Sequence, residues 1–180
     1  MRIKLLLLFT LSALVFASCS KKDDETDAIW KDNNEAAFLK TAALPEFKTI
    51  KSESKNGSIA YKVIKSGEGK TPFYTDRVKV LYTGWFKMVD WNKPDIYTNE
   101  NGVKVTNKVI FDSTANRNDV PSIFTVSGVV DGFSTALQHM QVGDKWEVWI
   151  PARLGYGERG QSNIPGFTTL VFEIELLDIL

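Results

Sequence analysis

The stretch VVDGFSTALQHMQVGDKWEVWIP, residues 129–151, passes from one hydrophobic period to another within a few residues. In its first half, apolar residues stand three and four positions apart, which gives residues 130–143 the single apolar stripe of an amphipathic helix. The stripe consists of Phe133, Leu137 and Met140. We expect Gly143 to end this helix.

The second half of the stretch alternates apolar and polar residues, and three other segments of the chain do the same. The alternating apolar residues are Ile59, Tyr61 and Val63; Val78, Val80 and Tyr82; Trp146, Val148 and Ile150; and Leu170, Phe172, Ile174 and Leu176. Such alternation is typical of antiparallel strands with one buried face. The sequence therefore predicts an α+β fold, in which a curved antiparallel β-sheet wraps on one short α-helix.

Residues 87–109 predict an excursion from this sheet. Within them, IYTNENGVKVT (96–106) places Asn101 and Gly102 between β-prone residues. Asn-Gly is typical of a type I′ turn, because both central residues of that turn need a positive φ. We therefore expect a hairpin with a type I′ turn.

The composition argues against several classes of function. The 180 residues carry 22 basic and 22 acidic side chains, and this zero net charge gives no sign of a nucleic-acid partner. The single cysteine cannot form an intrachain disulfide. The single histidine argues against a histidine-based metal site and against a Ser-His-Asp triad.

The N-terminal sequence MRIKLLLLFTLSALVFASCS has the order of an export signal. Two basic residues precede an apolar run that is too short for a membrane span, and small residues follow it. Cys19 directly follows two of these small residues, which resembles the lipobox of bacterial lipoproteins. We expect a signal peptide over residues 1–18 and lipidation of Cys19. The alternative is an ordinary secretory signal with an incidental cysteine.

Residues 19–27 are polar and charged without an apolar period, which predicts a flexible lipidated tether. Residues 28–58 predict a helical extension and a loop, with Asp27 as the helix cap and Pro45 as its stop. The apolar residues of the helix are Ile29, Trp30, Ala37, Phe38 and Leu39. We expect this helix to pack on the main domain; the alternative is a partner-binding helix.

One more stretch poses a chemical question. WIPARLGYGERG, residues 149–160, runs from a strand end into a glycine-rich turn that presents Tyr156. Loops at such positions often carry function. Yet this turn has no thiol, no histidine and no pair of metal ligands. Any function of the loop must therefore use a phenol and shaped backbone.

Taken together, these segments resemble an FKBP-type peptidyl-prolyl cis–trans isomerase. The resemblance covers residues 59–180, and its motifs are VLYTGWF, FDST, FTVSGVVDGFSTALQHMQVGDKWEVWIP, LGYGERG and IPGFTTLVFEIELLDI. It implies the FKBP-like fold and catalysis of rotation about X-Pro bonds, with no cofactor and no metal. Rotation breaks no bond, so the enzyme has only to stabilise the twisted amide more than the planar one.

The resemblance implies roles for individual residues. Asp112, Tyr156 and Tyr82 match catalytic positions: a carboxylate near the substrate carbonyl, a phenol that donates a hydrogen bond, and an aromatic wall. The matched substrate-binding residues are Phe111, Phe124, Val129, Val130, Phe133, Ile164 and Phe172. Among them, Phe133 would be the floor of the pocket, and the N–H of Val130 would hold a carbonyl. Taken singly, the aromatic residues could be ordinary core residues.

The chain also departs from the family pattern. Phe133 stands where tryptophan is frequent, Ser122 where an aromatic residue is common, and Gln161 where some members have histidine. The stretch between Tyr82 and Phe111 is longer, because it contains the hairpin. These differences bear on substrate preference and macrolide affinity.

The resemblance implies proline-containing polypeptides as substrates and macrolides as candidate inhibitors. Together with Cys19, it predicts an exported isomerase that is lipid-anchored to the cell envelope, at the outer membrane, and assists the folding of exported proteins. The alternative is a non-catalytic peptide-binding or chaperone module on the same fold. Its working surface would be the 96–106 hairpin or the 28–42 helix.

Overall fold

The computed structural model describes residues 20–180, with side chains from residue 26 onward. The predicted signal peptide, residues 1–18, and the predicted lipidation site, Cys19, lie outside the described residues. Within the described part, no helix is both long enough and apolar enough to cross a membrane.

Residues 20–180 form two α-helices and nine β-strands. The helices are α1 (Ser20–Ala42) and α2 (Asp131–Leu137). The strands are β1 (Lys48–Lys51), β2 (Ser58–Lys65), β3 (Arg77–Lys87), β4 (Ile96–Thr98), β5 (Lys104–Thr106), β6 (Lys108–Ser113), β7 (Ser122–Thr125), β8 (Lys145–Ile150) and β9 (Leu170–Ile179). Short 3-10 turns are formed by Thr114–Arg117, Val126–Gly128 and Ala152–Leu154.

One antiparallel sheet organises the molecule and confirms the α+β prediction. Its strands follow the order β1-β2-β8-β9-β3-β6, and β7 pairs with β3 as well. The long strand β3 therefore has β9 along one side and both β7 and β6 along the other. Helix α2 contacts β2 and β8, and its Phe133 and Leu137 belong to the core formed with the strands.

The residues predicted to alternate inward are buried along β3, β8 and β9. They are Val78, Val80, Tyr82, Trp146, Val148, Ile150, Leu170, Phe172, Ile174 and Leu176. In β2, Ile59 is buried and Tyr61 is half-buried, but Val63 is 41% exposed. The register between β2 and β8 shifts between Val63 and Lys65, so the regular alternation is interrupted there.

Helix α2 is shorter than predicted, because it ends at Leu137 and not near Gly143. Met140 is fully buried, as its place in the stripe predicted, but it lies in the turn that follows the helix. This turn is fixed by the buried carboxylate of Asp144, which accepts the N–H of Gln141 at 2.7 Å. Gly143 lies in this turn with a φ of 98°, and β8 begins two residues later at Lys145.

Helix α1 begins earlier than predicted. It starts at Ser20, so residues 20–27 of the segment predicted as a flexible tether are helical, and Asp27 lies inside the helix, not at its cap. No glycine or proline interrupts residues 20–42, so this backbone can stay helical throughout. The helix ends before Pro45, as expected.

The face that α1 turns to the domain also differs from the prediction. Ile29 and Leu39 are 56% and 64% exposed, so they do not belong to it. The buried residues of this face are Asn34, Ala37, Phe38 and Thr41, and Trp30 is half-buried beside them. They follow helical spacing, but two of them are polar, so a search for apolar residues alone could not find the stripe.

The excursion between β3 and β6 is confirmed, since β4 and β5 form a separate two-stranded sheet. The predicted type I′ turn is wrong: Gly102 has a φ of 74°, whereas Asn101 is not in the positive region. The Asn99 side chain accepts the N–H groups of Asn101 and Val103 at 3.0 and 2.9 Å. These bonds favour a type I turn followed by a left-handed glycine.

Candidate active site

A cavity of about 510 Å³ opens between β3, β9, the start of α2 and the loop of residues 151–169. Every residue to which the resemblance assigned a role lines it: Tyr82, Phe111, Asp112, Phe124, Val129, Val130, Phe133, Tyr156, Ile164 and Phe172. Residues far apart in sequence therefore meet at one place. Their roles in binding and catalysis stay predictions.

Phe133 lies at the floor of this cavity and is only 3% exposed. Its ring centroid is 5.1 Å from that of Phe172, 6.0 Å from Tyr82 and 6.2 Å from Phe124, with interplanar angles of 79–88°. Such edge-to-face contacts are favourable for aromatic rings. Because the ring also belongs to the main hydrophobic core, the floor of the cavity is part of the fold itself.

Gly84 makes room for another part of the aromatic wall. The rings of Phe111 and Phe172 meet edge-to-face above its backbone, with centroids 5.5 Å apart. A Cβ atom at position 84 would lie 2.6 Å from a ring carbon of each. Gly84 stood in a motif of the sequence but was not singled out, because its role depends on two residues from other strands.

The carboxylate of Asp112 is held at the rim by two donors. The Tyr82 hydroxyl donates to Oδ2, and Nη1 of Arg117 donates to Oδ1 at 2.8 Å. Burial alone would raise the pKa of Asp112, but these hydrogen bonds and the positive charge of Arg117 outweigh burial and lower that pKa below its ordinary value. The group is therefore a fixed anion at neutral pH.

The turn after β6 brings Arg117 back to Asp112. The Ser113 side chain caps the 3-10 turn by accepting the N–H of Ala115 at 3.2 Å. Thr114 ties the turn to β3, because its hydroxyl accepts the N–H of Tyr82 at 3.1 Å. The sequence analysis did not identify Arg117. The available signal was its position in the short turn that follows Asp112, Ser113 and Thr114.

The phenol of Tyr82 is affected by the same cluster. Burial, and then its hydrogen bond to Asp112, raise the pKa of Tyr82 above the ordinary value for tyrosine. Arg117 also reaches Ser122 through Nη2 at 3.1 Å. Ser122, which replaces an aromatic residue of the family pattern, thus helps to hold the guanidinium.

Tyr156 lies in the loop directly after the Ala152–Leu154 turn and faces the cavity half-buried. Burial, followed by the negative charge of Asp112, raises the pKa of Tyr156. Among the described residues its hydroxyl has no hydrogen-bond partner, so its donor is free for a ligand in the cavity.

Three polar residues of the same loop, Gln161, Ser162 and Asn163, line the cavity beside Ile164 and were not predicted as a group. Gln161 and Ile164 hold this short turn through backbone hydrogen bonds of 3.0 and 2.9 Å. Ile164 itself is 6% exposed. The only sequence signal was their place between two motifs of the resemblance.

Val129 and Val130 close the cavity at the N-terminus of α2, where Val130 is the residue before the first helical turn. Backbone N–H groups at this end of a helix have no acceptor within the helix. No cysteine, histidine or lysine lines the cavity in the described residues. An apolar cup with a few hydrogen-bond donors and a fixed anion suits a change of conformation better than the making of a bond.

Comparison with known proteins gives a consistent result. A family model described as FKBP-type peptidyl-prolyl cis-trans isomerase matches residues 68–177. The FKBP-type 22 kDa peptidyl-prolyl cis-trans isomerase of Escherichia coli K12 is 44% identical over 128 residues, which cover 71% of this chain and 52% of that protein. The outer membrane protein MIP of Legionella longbeachae is 35% identical over 122 residues, covering 67% of this chain and 44% of that protein.

A solved structure shows the same likeness. The crystal structure of FkpA from Escherichia coli superimposes with a TM-score of 0.66 at 29% identity, and the match covers 88% of this chain and 62% of that one. The chain spans about half the length of the curated relatives it matches. Because the family model matches more than half of its residues, the chain belongs to the FKBP-type peptidyl-prolyl cis–trans isomerase family.

Proposed function

We propose that this protein accelerates cis–trans rotation of X-Pro bonds in exported polypeptides. The observation that carries the proposal is the free phenol of Tyr156, which lines a cavity floored by Phe133 opposite a fixed Asp112 carboxylate. Family membership supports it. The Escherichia coli relative named above is described as a peptidyl-prolyl cis-trans isomerase, and the Legionella relative as an outer membrane protein.

The aromatic cavity would act by lowering the cost of twisting the amide. Amide resonance separates charge between oxygen and nitrogen and produces a rotation barrier of about 18–20 kcal/mol. The twisted amide loses this charge separation, so removal from water costs it less than it costs the planar form. A site that excludes water with Phe133, Phe172 and Tyr82 therefore stabilises the transition state more than the ground state.

The polar groups would orient the substrate. The Tyr156 hydroxyl and the N–H of Val130 can each donate to a carbonyl oxygen on the peptide. Asp112, held by Tyr82 and Arg117, supplies a fixed negative charge near that carbonyl. A fixed charge costs little reorganisation during the reaction. No proton has to move, which agrees with an anionic Asp112 and protonated phenols.

The finer part of the proposal concerns location. We propose that residues 1–18 are removed and that Cys19 is acylated, which anchors the protein to the envelope at the outer membrane. The sequence around Cys19 supports this, and the similar Legionella protein is an outer membrane protein by name. A multiply acylated cysteine anchors firmly, since each buried CH₂ contributes about 0.8 kcal/mol.

The direct test is catalysis of X-Pro rotation in short peptides by the chain from residue 20 onward, followed by NMR exchange spectroscopy. We expect catalysis by the native sequence and a clear loss in Asp112→Ala. Asp178→Ala is the matched control, because Asp178 is an exposed acid on β9 whose distance to Lys79 is 4.0 Å. No turnover by the native sequence contradicts the proposed function, and equal turnover in all three proteins contradicts the role given to Asp112.

A non-catalytic binding module is the second candidate, and one observation favours it. A groove of about 280 Å³ lies between α1 and the excursion, with Trp91 and Trp149 among its walls. If this groove is the working surface, Trp91→Ala should abolish the suppression of aggregation of an unfolded client. Asp112→Ala should leave that suppression unchanged.

A further inference from the structure

Helix α1 lies outside the segment matched by the family model, yet it contacts the loop that carries Tyr156. The indole Nε1 of Trp30 donates to the backbone oxygen of Gly166 at 2.9 Å. The ring of Trp30 also packs against the main hydrophobic core. The helix is therefore fixed to the loop and to the sheet by the same side chain.

A second contact follows one turn along the helix. Asn34 is completely buried, and its Oδ1 accepts the N–H of Thr169 at 2.9 Å. In return, the hydroxyl of Thr169 donates to the backbone oxygen of Asn34 at 2.9 Å. Between these two points, the Lys31 ammonium lies 5.3 Å from the ring centroid of Phe167. Helix α1 therefore contacts the end of the loop at three positions: Gly166, Phe167 and Thr169.

Contacts within the loop connect the residues held by α1 to those that line the cavity. The N–H of Phe167 donates to the oxygen of Gly157, next to Tyr156, at 2.9 Å. The two limbs of the loop also touch closely, because a Cβ atom at Gly166 would lie 1.9 Å from the Glu158 oxygen. Fixing residues 166–169 therefore restricts the limb that carries Tyr156.

The opposite side of α1 is braced by the excursion. Nε1 of Trp91 donates to Oδ1 of Asn34 at 3.2 Å, and Lys40 donates to Oδ1 of Asn92 at 3.1 Å. The buried Asn34 amide is thus where the helix, the excursion and the active-site loop meet. Helix α1, which lies outside the segment matched by the family model, and the excursion therefore both contact this buried amide beside the active-site loop.

We propose that Trp30 and Asn34 are positioning residues for the active-site loop, and that α1 holds Tyr156 and Ile164 in place for substrate. The inference rests on the proposed function, because it assigns the loop the task of presenting these side chains to an X-Pro peptide. Holding a loop in its productive geometry before binding improves turnover, since less order has to be gained during the reaction.

Amide hydrogen exchange of the chain from residue 20 onward tests the positioning without any assay of activity. Trp30→Phe removes the donor to Gly166 and keeps an aromatic ring. We expect amides of residues 156–167 to exchange about two- to twelvefold faster, as the loss of one ordinary hydrogen bond implies. The matched control is Trp146→Phe, which makes the same change on β8, where the indole stacks on Tyr61 with ring centroids 4.2 Å apart. It should leave the loop amides unchanged.

Turnover supplies the second readout. Trp30→Ala removes both the bond and the packing, and we expect it to raise KM for X-Pro peptides more than it lowers kcat, because Tyr156 and Ile164 are then less often in place. Unchanged loop exchange in Trp30→Phe overturns the proposal, as does an equal rise over the whole domain. Faster loop exchange with unchanged turnover in Trp30→Ala also overturns it. An inactive native protein instead contradicts the proposed function, while the exchange data still report on the helix and loop.

Discussion

Arg117 donates from Nη1 to Oδ1 of Asp112 at 2.8 Å, across a 3-10 turn that returns the chain to the cavity rim. The Tyr82 hydroxyl donates a hydrogen bond to the other carboxylate oxygen, Oδ2. Asp112 therefore has a strong donor on each oxygen and is fixed in direction. A carboxylate held in this way acts by its charge and its position, because it does not release or take up a proton near neutral pH.

This arrangement predicts a flat pH profile for turnover. The pKa of Asp112 is lowered and those of Tyr82 and Tyr156 are raised, so none of the three groups changes charge between about pH 5 and 9. We expect kcat/KM to be constant over that range. A bell-shaped profile centred near neutrality would contradict an electrostatic role for Asp112.

The same shift predicts how stability depends on pH. Since the pKa of Asp112 is lower in the folded state, its stabilisation is present above about pH 4 and is lost as the pH falls through its folded pKa. The Asp112 and Arg117 side chains are 43% and 46% exposed, so solvent screens the pair and we expect its contribution to stability to be small. The Tm of Asp112→Asn should lie below the native value at pH 7 and converge with it in acid. A constant difference would contradict the linkage.

Phe133 should matter to stability and turnover together. It is almost fully buried and contacts three other rings of the cavity. Phe133→Ala should cost about 3–5 kcal/mol in the free energy of unfolding, measured in urea, and should reduce activity. Phe133→Leu should keep the fold and part of the activity. An alanine variant with an unchanged free energy of unfolding would show that the ring is not a core residue.

The sheet could be predicted from the sequence because the alternation of apolar residues lies within single strands. The family could be predicted because several of its motifs occur in a fixed order along the chain. Alternation along β3, β8 and β9 identifies a buried face without knowledge of its partners, and the motifs occur in the order of the family. The resemblance of these motifs to the family also identified the residues that line the cavity, from Tyr82 on β3 to Phe172 on β9.

The features that were missed depend on contacts between distant segments. Asn34 and Thr41 belong to the buried face of α1 because the domain supplies partners for Asn34, which no apolar pattern shows. The turn at Gly102 was misjudged because the side chain of Asn99 supplies two of its hydrogen bonds. Arg117 was missed because its partner is set by the fold of the turn.

Gly84→Ala should disturb the aromatic wall. The added Cβ atom would lie 2.6 Å from ring carbons of both Phe111 and Phe172, so both rings have to shift. We expect a loss of about 1–3 kcal/mol in stability, as in other overpacked cores, together with lower turnover. Adding Phe111→Leu should restore part of the stability, because the smaller side chain relieves the contact. A double variant no more stable than Gly84→Ala would contradict this explanation.

The anchoring proposal predicts a change in location and none in fold. Cys19→Ala should move the protein from the membrane fraction to the soluble exported fraction, because no acyl chain can be attached. Ser20→Ala, the neighbouring change, should stay with the membrane. Retention of the Cys19→Ala protein after a carbonate wash would show that another part of the chain holds it there.

Tyr156 separates substrate binding from folding most directly. Among the described residues its hydroxyl has no partner, so Tyr156→Phe removes a donor from the cavity and nothing from the fold. One hydrogen bond to a neutral acceptor contributes about 0.5–1.5 kcal/mol, so kcat/KM should fall by roughly two- to twelvefold. The Tm should change little, because the ring remains.

Combining Tyr156→Phe with Asp112→Ala tests whether the two groups act on one carbonyl region of the substrate. If they do, the loss in the double variant should be less than the product of the two single losses, because neighbouring groups that share a partner are not independent. Full activity of Tyr156→Phe toward several X-Pro peptides would contradict the assigned role. So would a loss of activity that is matched by unfolding, since the phenol would then support the loop and not the substrate.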